Sequence, residues 1–123
     1  MGQSLPPGER IRRRPEFLLA YEHGYKQHGR FMTVFVRRSG LPTSRVGVSA
    51  TRKIGSAVVR NKAKRRAREL YRRTKLEAGL DLVIIPRREF AGAPFDRLAA
   101  DYQTVVRRAV SGARARPEAE RAV

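Results

Sequence analysis

The sequence predicts one α+β domain, a two-layer sandwich in which helices pack on a mostly antiparallel sheet. Three observations support this fold class. The 123 residues are sufficient for a single compact core. Apolar residues recur at helical spacing in some segments and alternate or run together in others. The chain contains no internal repeat, and the domain is expected to span residues 13–111, between a flexible basic arm at 1–12 and a flexible tail at 112–123.

The first half of the chain predicts one helix followed by two strands. Pro15 suits the first turn of a helix because its missing N–H is not needed there, and the apolar spacing extends that helix over about 15–23. The β-branched and aromatic stretch 31–38 predicts a strand, and the alternation over 45–51 predicts its neighbour. A short additional strand fits around 25–27.

The second half predicts a long helix, a buried strand and a final helix. A turn at 52–55 leads into the long helix, which is predicted over 56–76. The apolar run within 81–85 is too continuous for a strand with one face in water, so it predicts a buried strand. The last helix begins at Phe95 and carries a single apolar stripe.

Positive charge is the dominant feature of the composition. The chain carries 28 Lys and Arg residues against 11 Asp and Glu residues, a formal net charge of +17. Because like charges oppose compaction unless a polyanion neutralises them, nucleic acid is the first partner to expect and an acidic membrane surface the second. The chain has no Cys, which excludes disulfides and thiolate chemistry, and no apolar run of membrane-spanning length. A cytoplasmic location is therefore expected.

The predicted long helix concentrates this charge. Residues 52–75 include eleven cations and a single acid, Glu69. One helical stripe is apolar and would face the sheet; it consists of Val59, Ala63, Ala67, Leu70 and Thr74. A second stripe is basic at i, i+4 spacing and consists of Arg60, Lys64, Arg68 and Arg72. Because like charges at this spacing repel one another, the basic stripe indicates a phosphate-binding ridge whose affinity for RNA falls steeply with salt.

Aromatic residues form two pairs that would suit an RNA-binding cleft. Phe17 and Tyr21 are four residues apart on the first helix, and Phe31 and Phe35 share one face of the first strand. If the two pairs meet, unpaired bases could stack on the rings. The same spacings are equally typical of core side chains, and the sequence leaves both interpretations open.

The sequence carries no recognisable catalytic site. His23 and His28 have neither Cys nor clustered carboxylates beside them, and Asp81 is interpreted as a turn residue. No phosphate-binding loop, dinucleotide fingerprint or metal-ligand spacing is present. The sequence therefore predicts a binding protein that has no active site of its own.

One segment carries a specific motif. Residues 52–69 read RKIGSAVVRNKAKRRARE and match the pattern K-x-G-x-A-V-x-R-N-x-x-K-R-x-x-R at every fixed position. These positions are Lys53, Gly55, Ala57, Val58, Arg60, Asn61, Lys64, Arg65 and Arg68. The segment closely resembles the signature of the bacterial ribonuclease P protein family. The likeness covers roughly residues 10–110 and includes Phe17, Tyr21, His23–Gly24 and Arg45–Val46–Gly47.

The resemblance implies a topology and a function. The topology is α-β-β-β-α-β-α, with a left-handed crossover through the motif helix. The function is that of a non-catalytic subunit: a large catalytic RNA and its Mg²⁺ remove the 5′ leader from precursor tRNA, without an obligatory protein partner. The resemblance implies that the RNA subunit, or its metal-rich junction, is contacted by Arg60, Asn61, Lys64, Arg65, Arg68 and Arg72. It assigns the leader cleft to Phe17, Tyr21, Phe35, Arg52 and Lys53, where Tyr21 replaces the more usual Phe.

Three other functions remain open at this point. A ribosomal or other structured-RNA-binding protein would share the charge and lack the leader cleft. A protein-only nuclease would remove the leader without RNA and would depend on His28 or Asp81. A DNA-binding module would bind duplex DNA as well as it binds precursor tRNA.

Overall fold

The computed structural model describes residues 5–115, which form three α-helices and four strands. In chain order these elements are α1 (Arg14–His23), β1 (Tyr25–His28), β2 (Met32–Arg38), β3 (Arg45–Val48), α2 (Ala57–Arg73), β4 (Leu80–Pro86) and α3 (Phe95–Ala115). Short 3-10 segments occur at Pro7–Glu9, Arg52–Ile54 and Phe90–Gly92. The predicted α+β class is confirmed, and β1 is the additional strand that the sequence allowed.

The strands of the described region form one sheet in the order β1-β2-β4-β3. β2 pairs antiparallel with both β1 and β4, whereas β3 pairs in parallel with β4. Because β3 and β4 are adjacent and parallel, α2 is the crossover connection between them. β4 lies between two strands, which explains why Leu82, Val83 and Ile84 are fully buried, as their continuous apolar run predicted. The left-handed sense of the crossover stays an expectation from the resemblance.

The two faces of the sheet are covered unequally. α2 and α3 pack on one face and enclose the main core, which includes Val34, Leu82 and Tyr102. α1 and the segment before it lie on the other face, over a small buried cluster of Ile11, Ala20, Phe35 and Val83. The short α1 covers only part of this second face, so a groove remains beside it.

The packing of α2 follows from its sequence. The Ser56 side chain caps the first turn by accepting a hydrogen bond from a backbone N–H at 3.4 Å. Ala63 and Ala67 are fully buried, and their small side chains let the helix lie close to the sheet. The apolar stripe was predicted to include Thr74, but Thr74 is the exposed C-cap residue and the buried stripe ends at Tyr71.

The folded domain extends further at both ends than predicted. Within the segment assigned to a flexible arm, Leu5 and Ile11 are buried, and Ile11 N–H donates to a β3 carbonyl at 2.9 Å. α3 continues into the segment assigned to the tail and buries Ala113. Isolated apolar residues among Pro and Arg have no periodicity, which is why the pattern did not reveal this packing. The rest of the predicted arm and tail, 1–4 and 116–123, lies outside the described residues.

Candidate nucleic-acid interface

Aromatic rings from α1 and β2 form a continuous row on the partly covered face of the sheet. The ring centroids of Phe17 and Tyr21 are 6.4 Å apart, and those of Tyr21 and Phe35 are 5.1 Å apart in an edge-to-face arrangement. Phe17 and Tyr21 are half-buried, whereas Phe35 is only 8% exposed and lies beneath them. Phe31 belongs to the main core. Both sequence interpretations therefore apply, since three rings meet in this aromatic row and the fourth is a core residue.

A close backbone approach at Gly47 positions Phe17. A Cβ atom at Gly47 would lie 2.8 Å from two atoms of the Phe17 ring and 2.9 Å from the Cβ of Ile11. Ordinary carbon contacts are about 3.5–4.0 Å, so a larger residue would push both groups away from β3. Glycine at this position is what allows α1 and the N-terminal segment to lie so near the sheet.

An ion-pair network ties α1 to the sheet. Arg45 donates from Nη1 to Glu16 Oε2 at 2.8 Å, and from Nε and Nη2 to the two carboxylate oxygens of Asp81 at 2.9 and 2.7 Å. The hydrogen bond from Arg45 is the main cause of a lowered pKa at Glu16. Asp81 is fully buried, and Arg37 also donates to it, at 3.3 Å. The interpretation of Asp81 as a turn residue was wrong, because its carboxylate is the buried centre of this network.

A groove runs between α1, β3 and the side of α2. One part has a volume of about 390 Å³ and a lining that includes Arg12, Phe17, Tyr21, Ser49 and Lys64. The adjoining part has a volume of about 440 Å³ and a lining that includes Arg10, Arg12, Gly47, Lys64 and Arg68. Lys64 and Arg68 therefore share a groove with the aromatic row. In the sequence analysis, these two cations were assigned to the RNA subunit and the rings to the leader cleft. A groove shared by both was therefore not predicted.

The cations around this groove face one another without a compensating carboxylate. Within residues 5–115, no salt bridge involves Arg10, Arg12, Lys64 or Arg68. Burial, followed by the nearby charges of Arg10 and Arg12, lowers the pKa of Arg68. The guanidinium stays protonated at ordinary pH, and a bound anion would relieve the part of its destabilisation that comes from Arg10 and Arg12.

The four residues of the basic stripe on α2 differ in the groups that they contact. Lys64 and Arg68 line the groove, but Arg72 donates to both carboxylate oxygens of Glu69 at 2.7 and 2.8 Å. Arg60 donates to a backbone carbonyl at 3.1 Å. A phosphate would therefore meet the full charge of Lys64 and Arg68, whereas the charge of Arg72 is already partly neutralised.

Four other predicted site residues are close in sequence to residues of the groove but line neither part of it. Asn61 and Arg65 are exposed on α2. Arg52 and Lys53 are exposed in the 3-10 segment that precedes α2, and neither is among the residues that line the groove. The structure thus brings Phe17, Tyr21 and Phe35 together, and leaves the position of Arg52 and Lys53 at the cleft edge untested.

Sequence reasoning missed the basic residues of the N-terminal segment. Arg10 and Arg12 flank the buried Ile11 and line the groove, and Arg14 at the start of α1 lines it as well. The available signal was an alternation of basic and apolar residues over 10–12, which is typical of an edge strand. Arg10 does form a parallel bridge with β3.

His28 and Asp81, on which a protein-only nuclease would depend, both contact other side chains in the structure. Residues 5–115 contain no group of three or more acidic or His side chains that could hold a metal ion. Asp81 is enclosed by arginines, and His28 contacts Thr33 at 3.1 Å. In the same part of the chain, no helix combines the length and the apolar character needed to span a membrane.

Comparison with known proteins places these features in a family. A family model described as Ribonuclease P matches residues 5–110. The chain is 39% identical over 107 residues to the ribonuclease P protein component of Thermotoga maritima, covering 85% of this chain and 89% of that one. Identity to the Kocuria rhizophila component is 41% over 108 residues, covering 86% and 96%. A solved structure of the T. maritima protein aligns with a TM-score of 0.73 at 34% identity, covering 81% and 96%.

Proposed function

Because the chain belongs to the ribonuclease P protein family, we propose that it binds the catalytic RNA of that enzyme and the 5′ leader of precursor tRNA. Membership makes it the protein component of a ribonucleoprotein endoribonuclease that acts in tRNA processing. One observation carries the finer proposal. The aromatic row lies in the same groove as cations that have no carboxylate partner in the described chain.

The groove has the two components that an unpaired RNA strand needs. Half-buried Phe17 and Tyr21 offer ring surface on which bases can stack, a contact worth about 1–3 kcal/mol per base. Arg12, Lys64 and Arg68 lie beside the rings and can neutralise the phosphates. Mature tRNA has no leader, so contacts made in the groove favour precursor over product.

The outer side of α2 is proposed to face the catalytic RNA. Asn61 and Arg65 are exposed, while Ala63 and Ala67 on the inner side are buried against the sheet. Cations on an exposed helix face position a folded RNA through its phosphates and do not read base sequence. Lys53 is exposed in the segment before α2 and would add its charge to this basic surface.

The chemistry is proposed to belong to the RNA partner. Mg²⁺ held mainly by the RNA would activate the attacking water and stabilise the leaving oxygen. The residues described here would hold the leader and reduce the mutual repulsion of closely packed phosphates. This division assigns no nucleophile to the protein and places its action in the cytoplasm, where precursor tRNA is made.

Reconstitution at low Mg²⁺ tests the proposal. Catalytic RNA is assayed with and without the protein on a precursor tRNA, and the protein is expected to increase the rate of leader removal. No change in cleavage would contradict the proposal and favour a structured-RNA-binding protein. Leader removal by the protein alone would favour a protein-only nuclease, and equal competition by duplex DNA would favour a DNA-binding module.

A further inference from the structure

We propose that the seam between the end of α2 and α3 is a docking site for a protein partner, and that the docked part of this partner is an amphipathic segment with apolar anchors and flanking carboxylates. The site, which we call the seam pocket, lies between residues 74–77 and Leu80 on one side and the α3 residues from Tyr102 to Val110 on the other. α2 and α3 cover one face of the sheet, whereas the aromatic row lies on the other. The seam pocket is therefore separate from the surface to which leader binding is assigned.

The floor of the seam pocket is apolar. From α3 it includes Tyr102, Val106 and Val110, which lie on one side of the helix because they are four residues apart. From the opposite wall it includes Leu76 and Leu80. Leu76 and Val110 pack against the main core but are only half-buried. Contiguous apolar surface with a polar rim is typical of a site of protein association.

Two links hold the walls of the seam pocket together. The Tyr102 hydroxyl donates to the Thr74 carbonyl at 3.0 Å, and burial raises the pKa of this hydroxyl, which therefore stays a donor at ordinary pH. Further along α3, Arg114 forms a salt bridge with Glu77. Both links join α3 to the connection between α2 and β4. The pocket is therefore formed before a partner binds, which reduces the entropy lost on binding.

The size and the chemistry of the seam pocket favour protein side chains over a small molecule or RNA. Its volume is about 240 Å³, below the range of about 300–1,000 Å³ that is typical of small-molecule sites. An unpaired base needs an exposed ring on which to stack, but Tyr102 is only 1% exposed. Apolar anchors of a protein partner commonly fill desolvated pockets of this kind.

The charge at the rim determines what flanks these anchors. Lys75 and Arg107 line the pocket, and Arg114 lines an adjoining depression. Lys75 forms a salt bridge with Glu9 at 2.7 Å. Arg107 is exposed, and no salt bridge within residues 5–115 involves it. Because the whole chain also carries a net charge of +17, a partner with carboxylates beside its anchors is attracted to this rim and a basic partner is repelled.

A pair of fluorescent synthetic helical peptides tests the seam pocket with the full chain. One peptide carries Leu at i, i+4 spacing on one side and Glu at the flanking positions, and the other has Ala in place of each Leu at equal charge. The Leu peptide is expected to bind about tenfold more tightly than the Ala peptide, because only its side chains fill the apolar floor. In methyl NMR spectra, the signals of Leu76 and Val110 should shift when it binds, and those of Leu18 beside the aromatic row should not.

Two charge reversals on α3 test the rim. Arg107→Glu should weaken binding of the Leu peptide roughly fivefold, because it replaces the attractive charge with a repulsive one. Arg108→Glu is the matched control, since this neighbouring arginine is also exposed and loses the same charge but does not line the pocket. Its affinity for the peptide should change by less than about twofold.

Several results would overturn the docking site. Equal affinity for the two peptides, or equal losses in the two charge reversals, would mean that net charge alone attracts the peptide. Methyl shifts at Leu18 would place the peptide beside the aromatic row instead. A dimer of the full chain in sedimentation that Val110→Glu dissociates would assign the seam to a second copy. Binding to anionic phospholipid vesicles that only Arg107→Glu weakens would assign it to a membrane surface. None of these measurements contains RNA, so their failure leaves the proposed function untouched.

Discussion

Replacing Gly47 by Ala adds one methyl group where α1 and the N-terminal segment both meet β3. The new Cβ would lie 2.8 Å from the Phe17 ring and 2.9 Å from the Cβ of Ile11. Since ordinary carbon contacts are about 3.5–4.0 Å, these groups must each move by about 1 Å. Overpacking of this kind costs about 1–3 kcal/mol in the free energy of unfolding, which corresponds to a decrease in Tm of about 4–12 °C.

Two measurements check the Gly47→Ala prediction. Thermal unfolding followed by circular dichroism gives the change in Tm, and binding of precursor and mature tRNA to the holoenzyme gives the preference for precursor, which should fall as the Phe17 ring moves. Gly8→Ala is the matched control, because nothing lies within 4 Å of a Cβ there. Its stability should change by less than about 0.5 kcal/mol. Wild-type Tm and wild-type preference in Gly47→Ala would refute the positioning role of this glycine.

Three further substitutions test separate parts of the interface. Glu16→Gln should lower the free energy of unfolding by about 0.5–1 kcal/mol at neutral pH in urea titrations, and exposed Glu22→Gln should not. Folding lowers the pKa of Glu16, so its contribution is present above the unfolded-state pKa and is lost as pH falls through the folded-state pKa; a difference from wild type that persists at low pH would contradict this assignment. Arg68→Ala should reduce the slope of log affinity for RNA against log salt by about one, and Arg72→Ala by less; equal reductions would mean that the ion pair of Arg72 does not matter. Tyr21→Ala should weaken binding of precursor more than mature tRNA by about 1–2 kcal/mol, and equal losses would remove Tyr21 from the leader site.

Periodicity within single elements made much of the fold predictable. The i, i+4 spacing of Ala63 and Ala67 gave the buried side of α2, and the continuous run at 82–85 gave the interior strand β4. These features depend on local geometry, because residues on one helix face or one strand are related by a fixed rise and rotation. The class, the element order and the inward face of α2 were therefore predictable from the sequence alone.

Contacts between distant segments were not predictable in the same way. Arg45 and Asp81 are 36 residues apart and meet only because β3 and β4 are parallel neighbours. The same holds for Arg10 and Arg12, which reach Arg68 only because their segment runs beside β3. Spacing along the chain carries no information on which strands become neighbours. The buried Asp81 was consequently mistaken for a turn residue, and the basic N-terminal segment was mistaken for a flexible arm.

A site-specific photocrosslink tests most directly whether the groove holds the leader while α2 faces the catalytic RNA. Leu18 lines the groove and is 41% exposed, so Leu18→p-benzoylphenylalanine keeps the aromatic row intact. Val58 in the first turn of α2 is 77% exposed and serves as the second position. In holoenzyme bound to precursor tRNA, the probe at position 18 should crosslink to leader nucleotides and the probe at position 58 to the catalytic RNA. Crosslinks from position 18 to the tRNA body or the catalytic RNA, with none to the leader, would contradict the account.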